Sequence, residues 1–182
     1  DRPTISKPFN NNFDLVSRVE QYVQGKIPAV PKGVDTGSLF CILGPSLAGK
    51  THITNEVIKR ISEQKISVEL CRKYTSRVSR GPDDDADFEH VSKSTISRKR
   101  ENGEILHVYT HFGETYGIPA SINNSLDEGR NVFLITPDLS TFDALRKLKE
   151  EHKLSSRPIP ILLWDDLEVL LARRKHAKRP KE

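Results

Sequence analysis

Residues 38–51 constrain this chain more than any other stretch. A short apolar run, Leu39 to Leu43, ends in Gly44-Pro45-Ser46-Leu47-Ala48-Gly49-Lys50-Thr51, and a helical pattern follows to about residue 64. This is G-x-x-x-x-G-K-[ST] between a strand and a helix, the context in which the motif works as a phosphate-binding loop. The chemistry needs that order. Glycines let main-chain N–H groups converge on an anion, and the following helix points its positive dipole end at it. Lys50 is placed to reach β- and γ-phosphates, and the Thr51 hydroxyl to ligate Mg²⁺. ATP with Mg²⁺ is the expected ligand of such a loop. The bland alternative is a glycine-rich turn with a chance lysine.

With 182 residues the chain has the length of one ordinary domain. No apolar stretch is long enough to cross a membrane as a helix, so no membrane partner is expected. The two cysteines, Cys41 and Cys71, fall in apolar strand patterns and read as small core residues in a reducing compartment. The net charge of +4 is concentrated near the end, at Arg173, Arg174, Lys175, Lys178, Arg179 and Lys181. Such asymmetry suits a local phosphate-handling segment or solvated tail, not a nucleic-acid surface. The chain begins at Asp1 and has no methionine, which reads as a fragment or a chain with its leader removed. The expected location is intracellular, the cytoplasm or, had a presequence been removed, an organellar matrix.

Strand and helix patterns alternate along the chain. Residues 1–12 are polar. Asn12 is placed to cap a helix over 13–24, where Phe13, Val16, Val19 and Val23 recur at helical spacing. Pro28, Pro31 and Gly33 then break the chain. Residues 1–37 are thus expected as an extension that docks on the core or joins other domains, and 38–182 as the domain proper. Within it, strands are expected at 38–43, 67–70, 105–110, 132–136 and 159–164. Helices are expected at 50–64, 94–101, 119–128, 139–153 and 166–175, the fourth with Leu139, Phe142, Leu145 and Leu148 on one apolar face. Asp83, Asp84, Asp85 and Asp87 read as a solvated, turn-rich stretch rather than a Mg²⁺ site. Alternation after a phosphate loop points to a parallel α/β sheet, broken by a small β-rich insertion at about 74–117.

The insertion carries parts for a second anion. Arg77 and Arg80 are spaced so that both guanidinium forks can converge on one phosphate monoester. Tyr116 follows a strand pattern, where its phenol can donate to the same group. His107 and His111 are either acceptor contacts or ordinary strand histidines. Asp138 is either a metal-associated acid or a helix cap. Trp164 reads as core or adenine-side packing.

Gly-Pro-Ser-x-x-Gly-Lys-Thr, Thr75-Ser76-Arg77-x-x-Arg80, Asp87-Phe88-x-His90-Val91-Ser92, Glu101-Asn102-Gly103-Glu104 and Tyr116-Gly117, in that order, resemble the guanylate kinase family over residues 38–174. The resemblance implies a three-layer α/β/α P-loop fold with a small acceptor-binding subdomain and a lid. It implies ATP held by residues 44–51, and an acceptor phosphate gripped by Arg77, Arg80 and Tyr116. Phe88 stands where that family usually has tyrosine. Arg173 and Arg174 lie where its lid begins, and would clamp ATP phosphates. Its pattern continues past residue 182, so the lid here is truncated, short or replaced by another segment such as the amino-terminal helix.

Departures narrow the acceptor. Leu47 replaces an expected glycine. His107 falls where the resemblance implies a base-reading glutamate, and Ile135-Thr136-Pro137 stands for an expected Asp-x-Asp. Guanine donors left unpaired cost about 1–3 kcal/mol each, which disfavours GMP. Leu106-His107, His111-x-Gly113-x-x-Tyr116-Gly117-Ile118-Pro119-Ala120-x-Ile122 and Gly129-Arg130-x-Val132 are similar instead to bacterial ribose 1,5-bisphosphate phosphokinases. The leading expectation is an ATP-dependent phosphotransferase whose acceptor is a small phosphorylated molecule, GMP-like or ribose 1,5-bisphosphate. The rivals are a weakly active or inactive guanylate-kinase-like module that binds nucleotide, phosphopeptide or a protein partner, and an ATPase subunit of a larger assembly. Residues 1–37 and the basic C-terminus are where a protein partner or further domains would attach.

Overall fold

The structure, a computed structural model, describes residues 12–26 and 36–176. Expectations for residues 1–11, for Pro28, Pro31 and Gly33, and for Lys178, Arg179 and Lys181 lie outside these, as do the side chains of Asn12, Phe13, Asp83 and Arg174. Helix α1 (Asn12–Gln24) precedes strand β1 (Leu39–Leu43) and helix α2 (Lys50–Glu63). Strands β2 (Val68–Leu70) and β3 (Lys73–Thr75), helix α3 (Pro82–Asp87), strand β4 (Phe88–His90) and helix α4 (Lys93–Glu101) follow. Strands β5 (Ile105–His111) and β6 (Glu114–Pro119) form a hairpin, then come α5 (Ile122–Asp127), β7 (Asn131–Ile135), α6 (Leu139–Glu150), β8 (Pro158–Leu162) and α7 (Leu167–His176).

The first sheet has the order β2-β7-β1-β8, and every pairing in it is parallel. Parallel strands are covered on both faces, which is why β1 is an unbroken apolar run with all five residues buried. Phe40, Ile42, Phe133 and Ile161 face α1 and α2. Leu39, Cys41, Leu43, Val132 and Leu134 face α5 and α6. The result is the three-layer α/β/α arrangement expected of the alternating pattern. Helix α1 docks on α2 through Val16, Val19 and Val23, with Glu20 paired to Arg60 at 3.5 Å.

The second sheet has the order β4-β3-β6-β5, with β3 and β4 parallel and the other pairings antiparallel. It is the β-rich insertion. Only Cys71 and Arg72 separate β2 of the first sheet from β3 of the second, so the two sheets meet where the phosphate loop ends.

Four local expectations are corrected. The acidic stretch is not a solvated loop: Gly81 and Pro82 start helix α3, which sets Asp84 against Arg77 and buries Asp87 to 8% exposure. The helix expected over 119–128 begins at Ile122, because Pro119 closes β6 opposite Ile105 rather than opening a helix. Leu139 is exposed, since α6 starts there under its Asp138 cap and turns Phe142 and Leu145 inward. Trp164 lies beyond β8 and is 63% exposed, not core.

Candidate active site

The phosphate loop is built by backbone geometry. Gly44 has φ 148°, Leu47 φ 70° and Gly49 φ 78°. A Cβ on Gly44 would stand 2.2 Å from the Leu163 carbonyl oxygen, so no larger residue fits. Leu47 holds a left-handed conformation that glycine adopts without cost, so the departure seen in the sequence stores about 1–2 kcal/mol of strain. Its carbonyl accepts from Arg173 Nη1 at 3.1 Å, and Arg173 Nη2 pairs with Asp165 at 2.9 Å. Arg173 therefore reaches the loop from α7. Lys50 Nζ lies across the loop, donating to the carbonyls of Gly44 at 2.7 Å and Pro45 at 2.9 Å. Helix α2 has no side-chain cap at Gly49, which suits an anion at its first turn.

These features fit a polyphosphate. The exposed Thr51 side chain stands at the start of α2, where a cation carried by that polyphosphate would need a ligand. Among the described residues no three His, Cys, Asp or Glu side chains gather as a metal site. Asp138 caps α6 instead, accepting from Thr141 N and the Ser140 hydroxyl at 2.9 Å each. Burial works against its charge, but these hydrogen bonds outweigh it and hold the carboxyl below its usual range. The Thr136 hydroxyl donates to the Ile42 carbonyl at 3.4 Å.

Across the junction stands the second sheet, with the residues expected to hold an acceptor. Thr51, Leu70, Cys71, Lys73, Asp87, Phe88 and Ile135 line a cavity of about 50 Å³, which joins the end of the phosphate loop to β3 and β4. The Arg77 guanidinium lies 5.3 Å from the centre of the Phe88 ring. Its Nη2 donates to Asp84 Oδ1 at 2.5 Å, and its buried Nη1 has no hydrogen-bond partner among the described residues. The Arg80 side chain is exposed, and only its main-chain N–H reaches the same Asp84 carboxylate, at 3.1 Å. An internal carboxylate thus sits on the Arg77 fork and the Arg80 amide, as one edge of a phosphate would. His90 Nδ1 donates to the Arg77 carbonyl at 2.6 Å, with Nε2 3.2 Å from Asp85 Oδ1.

Tyr116 is buried at 8% exposure, 5.9 Å from Phe88 and stacked on Tyr109 at 5.2 Å. Tyr109 stacks in turn on His107 at 6.3 Å. The four rings make a continuous aromatic wall. Burial, helped by Arg100, lowers the His107 pKa against the pull of Asp138, so a neutral imidazole ends the wall. Burial pushes the Tyr109 phenol up, which keeps it neutral.

Sequence reasoning missed Lys73, Asp84 and Tyr109. A signal for Lys73 existed. Cys71, Lys73 and Thr75 alternate at the period of a strand, and all three are buried. The Lys73 ammonium donates to the Ile135 carbonyl at 2.6 Å and lies 4.8 Å from the Phe88 ring centre. Burial lowers its pKa to about 8, with Lys50 and Arg77 pushing the same way and Asp87 resisting.

The chain has relatives among known proteins. A guanylate kinase from Thermotoga maritima is 35% identical over 100 residues, covering 54% of this chain and 46% of that one. A bifunctional ribose 1,5-bisphosphokinase-thymidine phosphorylase from Cupriavidus necator is 31% identical over 99 residues, 53% of this chain and 15% of its own. The chain spans about half the length of the first curated guanylate kinases that it matches. In three dimensions it is similar to the crystal structure of guanylate kinase from Anaplasma phagocytophilum, with TM-score 0.57, 20% identity, and coverage of 78% of this chain and 66% of that one. The guanylate kinase family model matches residues 36–177, from the strand before the phosphate loop through α7. A glycine cradle on a parallel sheet, a small second sheet carrying Arg77, and this match together place the chain in the guanylate kinase family.

Proposed function

We propose that the protein is a phosphotransferase that moves the γ-phosphoryl of ATP to a phosphate oxygen of a small phosphorylated acceptor. The observation that carries this reading is the cavity shared by Thr51 of the phosphate loop and Phe88 beneath Arg77. It would connect a polyphosphate cradle, by way of Phe88, with an anion site at Arg77. ATP would lie along residues 44–51, with Lys50 exchanging the Gly44 and Pro45 carbonyls for phosphate oxygens. Mg²⁺ ligated by Thr51 would offset charge on the ATP phosphates. The acceptor phosphate would displace Asp84 from Arg77 and lie against Tyr116. That acceptor is already anionic, so no general base is required. Rate enhancement would come from alignment and from cations offsetting the spread negative charge.

With His107 in place of a carboxylate, and a buried Thr136 in place of another, the site would offer guanine's N1–H and N2–H no charged acceptor. A phosphorylated sugar such as ribose 1,5-bisphosphate suits this site better than GMP. The test is an acceptor screen with MgATP covering GMP, dGMP, other monophosphates and ribose 1,5-bisphosphate. We expect transfer to a phosphosugar, and its loss in Lys50→Ala while the circular dichroism spectrum is unchanged. An unchanged rate in that variant would refute the mechanism. The Asp84–Arg77 pair favours one second reading, a binding module whose anion site is closed in the resting protein. ATP binding without transfer to any acceptor supports that reading.

A further inference from the structure

Lys73 is 4% exposed, where a lysine is costly. Its ammonium carries three donors. One carbonyl, that of Ile135, and the face of Phe88 are what the surroundings return for its lost hydration. A methionine would fill the same space without a charge to desolvate. Its position is also crowded with like charge. Arg77 and Lys73 lie on one ring, at 5.3 and 4.8 Å from its centre, and Lys50 acts on Lys73 from the phosphate loop. Asp87 offsets part of this, and the buried Arg77 Nη1 still has no acceptor among the described residues. Cations converge in this way where an anion is to be held.

We infer that Lys73 is a direct phosphate ligand at the point of transfer, donating from the acceptor sheet to the phosphoryl group that Lys50 approaches from the donor loop. The inference rests on the phosphotransfer reading and adds to it a cation on the strand that joins the two sheets. The phosphate would take the donors that the Ile135 carbonyl leaves unused, within the cavity lined by Thr51, Asp87 and Phe88.

The test uses the full chain and inorganic pyrophosphate. Calorimetric titration should show Lys73→Met binding pyrophosphate roughly 10- to 100-fold more weakly than the parent, the loss of one charge-assisted hydrogen bond. In protein labelled with ¹⁵N-lysine, the Lys73 ammonium resonance, identified by its absence in Lys73→Met or Lys73→Arg, should move as pyrophosphate saturates. Equal affinity in Lys73→Met, or a resonance that stays still, overturns the assignment. Should the methionine variant fail to fold, the resonance in the parent protein decides alone. Should the parent bind neither pyrophosphate nor MgATP, the phosphotransfer reading falls and this inference with it. Should it bind both while Lys73→Met matches it, only the role of Lys73 falls.

Discussion

Lys73 is a cation at neutral pH against the pull of its surroundings, and that makes stability depend on pH in a definite direction. Burial brings its pKa in the folded chain down to about 8 from an ordinary 10.5. Below pH 8 both folded and unfolded chains carry the proton, and the cost of the buried charge is fully present. Between the two values the unfolded chain binds more protons, so folding gains as pH rises, by about 3 kcal/mol in all. Lys73→Met lacks this dependence. Its melting temperature should exceed that of the parent most at pH 7, and the difference should shrink by pH 10. Paired thermal melts at those two values check it, and a constant difference would contradict the burial of the charge. Single residues divide sharply in what their sequence reveals. Gly44, Lys50 and Thr51 were legible because the loop's chemistry is local and its spacing fixed. Strand alternation hinted that Lys73 is buried, but not what it meets, because its partner Ile135 lies 62 positions away. Asp84 was hidden by its neighbours, since consecutive carboxylates suggest water and not an arginine seven residues back.

Elements were legible where one period dominated. The spacing of Val16, Val19 and Val23 points to a helix with one apolar stripe, and α1 lays that stripe on α2. Removing two methyl groups at Val19, 1% exposed, should cost about 2 kcal/mol. Denaturant unfolding of Val19→Ala measures this. A change within a few tenths of a kcal/mol would mean that α1 does not pack there in solution. Buried parallel strands β1 and β7 were equally plain, as short apolar runs closed by turn residues. Boundaries failed where one residue type serves two purposes. Proline is good at the first position of a helix, yet Pro119 ends a strand. Leucine at 139 matched a helical stripe, but at the first turn of α6 its position lies outside the layer that α6 covers.

At the scale of the molecule, alternation gave the layered sheet, and the order of motifs gave the insertion. What alternation does not encode is how the second sheet leans on the first, because that contact is made by side chains from segments far apart in sequence. The two cysteines happen to sample both situations. Cys41 is wholly buried in strand β1, whereas Cys71 sits at the junction, its N–H bound to the Phe133 carbonyl at 2.8 Å and the residue itself among those lining the cavity. Burial raises the pKa of both thiols, so alkylating reagents must wait for the protein to open. Each thiol then times a different event: Cys71 a parting of the sheets, Cys41 the loss of the whole core. Mass-spectrometric counting of iodoacetamide adducts should find Cys71 modified first, with equal rates reporting a molecule that opens only all at once. Two sulfur atoms give this protein a pair of clocks, one for breathing and one for unfolding.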